Sequence, residues 1–234
     1  MFISGHSIPH ISLGGFILIF GFMAFNAGSQ GTMSQKGDGE AISVAALSTL
    51  VGCASGGITV LFTWKFHPIG RVWSLSRIIN GCLAGMVAVC AGCNKYYPWI
   101  AAIIGCVAGI IYISLSLFMV KLKIDDPLDA VAVHAGSGLW GLLAAPLFRT
   151  DGLILSGSTE SLNMLIWNAV GAAVLAAFHA ITSGILFIGL HKLDLFRVPA
   201  SMEKQGMDIL KHNEPAYGFG IVQFLHHARD SETK

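Results

Sequence analysis

Charged residues are spaced along this chain so that six long apolar runs are left between them. The runs cover residues 11–28, 41–64, 78–93, 99–120, 130–147 and 162–190. About 20 apolar residues in a helix cross a hydrocarbon core. The third run is on the short side of that length, and the sixth is long enough to tilt or to project from the membrane. After residue 191 the chain turns polar. The pattern predicts an all-α membrane protein with six transmembrane helices over residues 1–191 and a cytoplasmic tail over residues 192–234.

Composition agrees with the pattern. The 234 residues are 54% hydrophobic and only 12% charged, and the mean hydropathy is +0.68. That excludes an ordinary soluble domain. The formal net charge is +1 and there is no basic block, so nothing points to nucleic acid. The placement of Lys and Arg says more. With six spans both ends share a side, and that side collects Lys65, Arg71, Arg77, Lys121, Lys123, Lys192 and Arg197, against Lys36, Lys95 and Arg149 on the other. The excess predicts cytoplasmic termini. No cationic segment precedes the first run, so it reads as a span and not as a secretory signal.

Two residue types belong to helix packing. Glycines recur four apart, as in Gly81 with Gly85 and Gly105 with Gly109, a spacing that lets helix backbones approach in lipid. The five cysteines, Cys53, Cys82, Cys90, Cys93 and Cys106, all fall in apolar, Gly- and Ala-rich stretches and read as small packing residues. Cys90 and Cys93 form a C-x-x-C, but no second Cys or His pair stands at ligand spacing, so no metal is assigned. There is no Gly-rich phosphate loop and no sign of a catalytic nucleophile, so the chain reads as neither an enzyme nor a cofactor protein.

Candidate chemistry gathers in residues 125–149, DDPLDAVAVHAGSGLWGLLAAPLFR. Nothing between Ala130 and Phe148 carries a formal charge, yet His134 lies inside that run. An imidazole at membrane depth is costly unless it faces protein or a water-filled path, so it reads as functional. Asp126 precedes His134 by eight residues, about 12 Å along an unbroken helix. Pro127 suits a first helical turn. Asp126 and Asp129 either cap free backbone N–H groups there or stand at a cation entrance. On a helix the aspartates lie too far from His134 to surround one ion with it. A second constellation ends the first run: Phe22 and Phe25 share a helical face, and Ser29 follows on it four residues later. Aromatic faces attract cations and a hydroxyl oxygen accepts a hydrogen bond from ammonium.

Several motifs resemble the ammonium transporter (Amt) family: FNAGS at residues 25–29, GCLAGMVAVCAGC at 81–93, DDPLDAVAVHAGSGLWG at 125–141, and RVP with GMDILKHNEPAY at 197–199 and 206–217. The likeness covers nearly the whole chain in order. It implies an eleven-span fold of two inverted five-span repeats plus a last helix, assembled as a trimer with one pore per subunit. The six runs match spans six to eleven, that is, one repeat and the last helix. By the same resemblance His134 is the second of a twin-histidine pair lining a hydrophobic pore, Phe25 is one of two stacked phenylalanines above it, and Ser29 is the vestibule serine. Phe22 stands where many members have tryptophan. The implied function is passage of ammonium and ammonia across the plasma membrane, with this chain supplying the second repeat of a homotrimer. The alternative is a non-transporting subunit that joins full-length transporters and modulates them.

Overall fold

The computed structural model describes residues 7–214, and every regular element among them is helical. Helix α1 covers Ile8–Gly28, α2 covers Asp38–Phe66, and α3 covers Leu75–Val89 and continues as a 3₁₀ turn, Cys90–Lys95. Helix α4 covers Pro98–Lys121. A π-helical turn, Val131–Gly136, leads into α5 (Ser137–Phe148), and the single turn α6 (Leu153–Ser156) follows. Helix α7 covers Thr159–Lys192, α8 covers Ala200–Gln205, and a last π-helical turn covers Asp208–His212. Six of these helical stretches are long and apolar enough to cross a membrane, the fifth being counted over Val131–Ser156.

The helices begin and end up to three residues outside the apolar runs, because their termini use polar residues and prolines. Asp38 and Glu40 occupy the first turn of α2, where negative charge suits the helix dipole. Pro98 opens α4, where its missing N–H costs nothing.

The chain divides into two compact units, Met1–Val174 and Leu175–Lys234. The first is built on α2, which packs most extensively against α3 and α4. Its buried positions, including Ser48, Gly52, Gly56 and Val60, recur every three or four residues and so form one face. Backbones touch along that face. A methyl group on Gly85 of α3 would overlap the carbonyl oxygen of Gly52, and one on Gly56 would overlap that of Gly81. Gly105 of α4 is closed off by the same Gly52 carbonyl and by Ser55. Two apolar clusters flank the seam, one around Val60, Met86, Tyr112 and Val133 and the other around Val89, Ile100, Ile104 and Ala144. Along α1, by contrast, only Gly15 and Asn26 are buried.

Helix α5 runs through Pro146, which has no N–H for the carbonyl of Leu142 four residues back. The Asn168 side chain on α7 replaces it, with Nδ2 donating to the Leu142 oxygen at 2.8 Å. A backbone acceptor left bare in an apolar medium costs several kcal/mol, on the order of its desolvation, and this contact supplies the partner.

In the second unit, Arg197 pairs with Glu203 and Phe187 packs on Phe196 with ring centroids 5.4 Å apart. The motif of residues 206–217 lies partly outside the described residues.

The approach to α5 differs from the sequence expectation. Residues 126–129 form a turn closed by the Asp129 N–H donating to the Asp126 carbonyl (3.2 Å), with Asp129 in the left-handed region at φ 58°. Pro127 therefore occupies the second position of a turn, which its fixed φ also suits, and not a first helical turn. The helix does not reach back to Asp126. His134 stands four residues beyond Ala130, about 6 Å along the axis and half the depth expected from an unbroken helix.

Candidate functional site

The end of α1 holds the aromatic pair. Phe22 and Phe25 meet edge to face, with ring centroids 6.2 Å apart and planes inclined by 76°. Phe25 is 63% exposed. Phe22 is half-buried against the cluster that contains Ala132 and Val133. Ser29 caps the helix and donates its hydroxyl to the Phe25 carbonyl at 2.6 Å, which leaves its oxygen lone pairs free to accept. Asn26, between these residues, is 3% exposed and donates from Nδ2 to Thr49 Oγ1 of α2 at 2.9 Å. That bond fixes the rotation of α1 about its axis and so turns Phe25 and Ser29 outward.

His134 lies in the π-helical turn before α5. Its predecessors Ala132 and Val133 are buried in the core, while the His134 side chain is exposed and makes no hydrogen bond among the described residues. The wider turn rests on Asp126, whose two carboxylate oxygens accept from the N–H groups of Ala130 (2.8 Å) and Val131 (2.9 Å). Asp126 thus satisfies two backbone donors where the helix begins. The first helical N–H groups that would otherwise lack partners are satisfied, and the charge sits at the positive end of the helix dipole.

Asp129 is taken up by two helices. Its Oδ2 accepts from the Tyr112 hydroxyl at 2.9 Å and its Oδ1 from Ser116 Oγ at 2.8 Å, both on α4. Arg77 of α3 places Nη1 4.0 Å from Oδ2 and donates to Ser116 Oγ at 3.3 Å. The Arg77 guanidinium also lies 3.8 Å over the Trp64 ring of α2, a cation–π contact. Asn80 completes the group, donating to the Tyr112 oxygen and to the Leu128 carbonyl. The carboxylate ties the turn that launches α5 to the α2–α3–α4 core, and its oxygens face protein donors.

The structure thus brings Phe22 and the turn that carries His134 against a single core cluster, joins Phe22 to Phe25, and leaves Phe25, Ser29 and His134 exposed. Sequence reasoning did not single out Asn26, Arg77, Tyr112 or Ser116. Asn26 and Arg77 carried a signal, a polar side chain within or bordering an apolar run. Tyr112 and Ser116, four apart on α4, carried a weaker one. Cys53 and Cys93 are buried in the core, and Cys90 and Cys93 also line a cavity of about 140 Å3 that Asn26, Ser29, Gln30 and Asn94 make polar. Among the described residues no three His, Cys, Asp or Glu side chains come together in metal-ligand fashion.

The sequence model described as Ammonium Transporter Family matches residues 1–217. This chain belongs to the ammonium transporter family. It is 40% identical over 228 residues to "Putative ammonium transporter 1" of Caenorhabditis elegans, a match covering 92% of this chain and 42% of that protein. It is 33% identical over 236 residues to "Ammonium transporter 1 member 2" of Arabidopsis thaliana, covering 92% and 45%. Among solved structures it superposes on a "Sensor Amt Protein" with a TM-score of 0.77 at 31% identity, covering 88% of this chain and 49% of that one. On Saccharomyces cerevisiae Mep2 the TM-score is 0.70 at 25% identity, covering 80% and 45%. The chain spans about half the length of the family members it matches.

Proposed function

We propose that this chain forms one side of a transmembrane path for ammonium and ammonia, with His134 lining it and Phe22, Phe25 and Ser29 at its outer end. The observation that carries the reading is the exposed His134 side chain, within a run that has no formal charge from Ala130 to Phe148 and on a turn whose neighbouring residues are buried. An imidazole presented in this way within an apolar segment is stabilised by facing a polar path.

The chemistry follows from the groups. Ammonium arriving at the end of α1 meets the Phe25 ring face and the Ser29 oxygen, which offset part of its hydration. Loss of the remaining water and of a proton leaves ammonia, which needs no counter-charge in an apolar passage. One nitrogen of a neutral imidazole donates and the other accepts, so His134 can hand such a molecule along by hydrogen bonds. Asp126 and Asp129 act behind the path by fixing the start of its helix.

In this reading the facing wall belongs to a first repeat supplied by a longer form of the chain or by a second polypeptide. The assembly is a trimer with one pore per subunit, both ends of this chain lie in the cytoplasm, and the membrane is the plasma membrane. The test is uptake of labelled methylammonium in cells that lack their own ammonium transporters. The chain alone is expected to give no uptake, and together with a first repeat it is expected to transport. His134→Ala in that complete setting is expected to reduce or alter flux while leaving assembly in detergent unchanged. Robust uptake by the chain alone, or normal flux in the His134→Ala form, would overturn the proposal.

A further inference from the structure

The cavity beside α1 has chemistry that an ammonium path does not use. It lies where α1, α2 and the 3₁₀ turn after α3 meet, and two thiols, Cys90 and Cys93, share it with the side chains of Asn26, Ser29, Gln30 and Asn94. At about 140 Å3 it has room for an ion with its ligands or for a few waters. The two cysteines are three residues apart in the 3₁₀ turn that follows α3. Gly92 between them departs from helical geometry (φ −148°, ψ 19°), and a methyl group there would come within 2.6 Å of the Tyr96 ring. Glycine thus lets the chain double back at this point and keep both thiols on the cavity.

The remaining cysteines are placed differently. Cys53 and Cys82 pack in the apolar cluster around Val60 and Met86, and Cys106 is exposed on α4. The Cys90 thiol donates to the Met86 carbonyl at 3.1 Å. Asn26 commits Nδ2 to Thr49, so its carbonyl oxygen remains an acceptor. Gln30, which receives a bond from Asn94, donates to the carboxylate of Asp38 at 3.2 Å, which brings negative charge to the rim.

We propose that Cys90 and Cys93 bind one soft, two-coordinate metal cation of the copper(I) or silver(I) type. Thiolates select soft ions, whereas zinc requires three or four protein ligands. Among the described residues no His, Asp or Glu joins the two sulfurs to complete such a set. The other polar groups on the cavity are amide and hydroxyl donors, which are poor ligands for a soft ion and suit the water around it. On binding, each thiol releases its proton to water and each sulfur gives an electron pair to the cation. Two S–H bonds break, two metal–sulfur bonds form, and nothing is oxidised or reduced. Binding withdraws the Cys90 thiol from the Met86 carbonyl, to which it donates in the metal-free chain.

Silver(I) is the probe, since it does not change oxidation state in this use. The whole chain, purified in chloride-free detergent solution, reduced and then freed of reductant under argon, is titrated with silver nitrate by calorimetry, and X-ray absorption reads the ligands of the bound ion. One equivalent with two sulfur neighbours is expected. The Cys53→Ala/Cys82→Ala form should retain it. Loss of a residue behind a metal ligand costs about 10–100-fold in affinity, so loss of a ligand itself in Cys90→Ser or Cys93→Ser should weaken binding by about 100-fold or more. Affinity unchanged in the Cys90→Ser/Cys93→Ser form, or lost in Cys53→Ala/Cys82→Ala, would overturn the proposal. If the serine forms do not fold, silver-soaked crystals of the unaltered chain decide the matter. An anomalous peak between the sulfurs of residues 90 and 93 upholds the site, and a peak at Cys53, Cys82 or Cys106, or none, refutes it.

Discussion

The contact between Asn168 and the Leu142 carbonyl can be tested against the proline that makes it necessary. Pro146 cannot donate to that oxygen, and Asn168 Nδ2 stands 2.8 Å from it in a half-buried setting. A buried acceptor that loses its partner costs about 1–3 kcal/mol. Hydrogen bonds between transmembrane helices have averaged about 0.6 kcal/mol with a maximum near 1.7. Because the acceptor is a backbone carbonyl whose usual helical donor position is a proline, Asn168→Ala should cost about 1 kcal/mol, in the upper part of that range. Replacing the proline changes the outcome. In Pro146→Ala the new N–H lies in position to bond Leu142, so Asn168→Ala in that background should cost no more than about 0.3 kcal/mol, within the additivity error of independent sites. Asn168→Leu separates the explanations further. If the asparagine merely faced lipid, leucine there would stabilise the chain, whereas here it should destabilise it about as much as alanine does. The assay is reversible unfolding in mixed detergent and dodecyl sulfate, followed by tryptophan fluorescence for the four members of the cycle. Equal costs of Asn168→Ala with and without Pro146, or a gain on Asn168→Leu, would refute the reasoning.

Two further outcomes follow from the same packing and can be measured in the same assay. Asp129→Ala strips two hydroxyls and Arg77 of a charged acceptor; with both side chains partly exposed and the ion pair at 4.0 Å, the loss should be about 3 kcal/mol, at the lower end for a broken buried pair. Asp129→Asn keeps one acceptor and should cost about half as much, so equal losses in the two forms would count against the network. Gly85→Ala drives a methyl group into the Gly52 carbonyl and should cost about 1–3 kcal/mol, whereas Gly171→Ala, with open space around it, should be neutral or slightly stabilising; indifference of both sites would mean that the seam is looser than described.

The spans were legible in the sequence because charge is so costly in lipid that its absence marks them, and the observed helices match all six runs. The glycine spacing was legible in part. Gly81, Gly85, Gly105 and Gly109 were read as packing residues, but their counterpart, Gly52 and Gly56 of α2, emerges only when three helices share one seam. The turn at residues 126–129 was not legible. Proline and aspartate suit a helix start and a reverse turn equally well, and the choice depends on Tyr112, Ser116 and Arg77, distant in sequence, holding Asp129 at positive φ. The cavity at Cys90 and Cys93 was not legible for a similar reason. Burial by apolar neighbours in sequence does not reveal that Asn26 and Gln30, about 60 residues earlier, face Cys90 and Cys93 across a cavity.

The seam of α2 with α3 and α4 also bears on how the protein is made. Its three helices are consecutive, so their contacts close loops of only a few tens of residues, and such local topologies assemble quickly. Synthesis at about 5–20 residues per second delivers residues 38–121 in roughly ten seconds. The backbone-to-backbone wedge of Gly52, Gly56, Gly81 and Gly85 can therefore set before α5 and α7 leave the ribosome. Helix α5 then docks on a finished surface, and Asp129 is the fastening through which it does so.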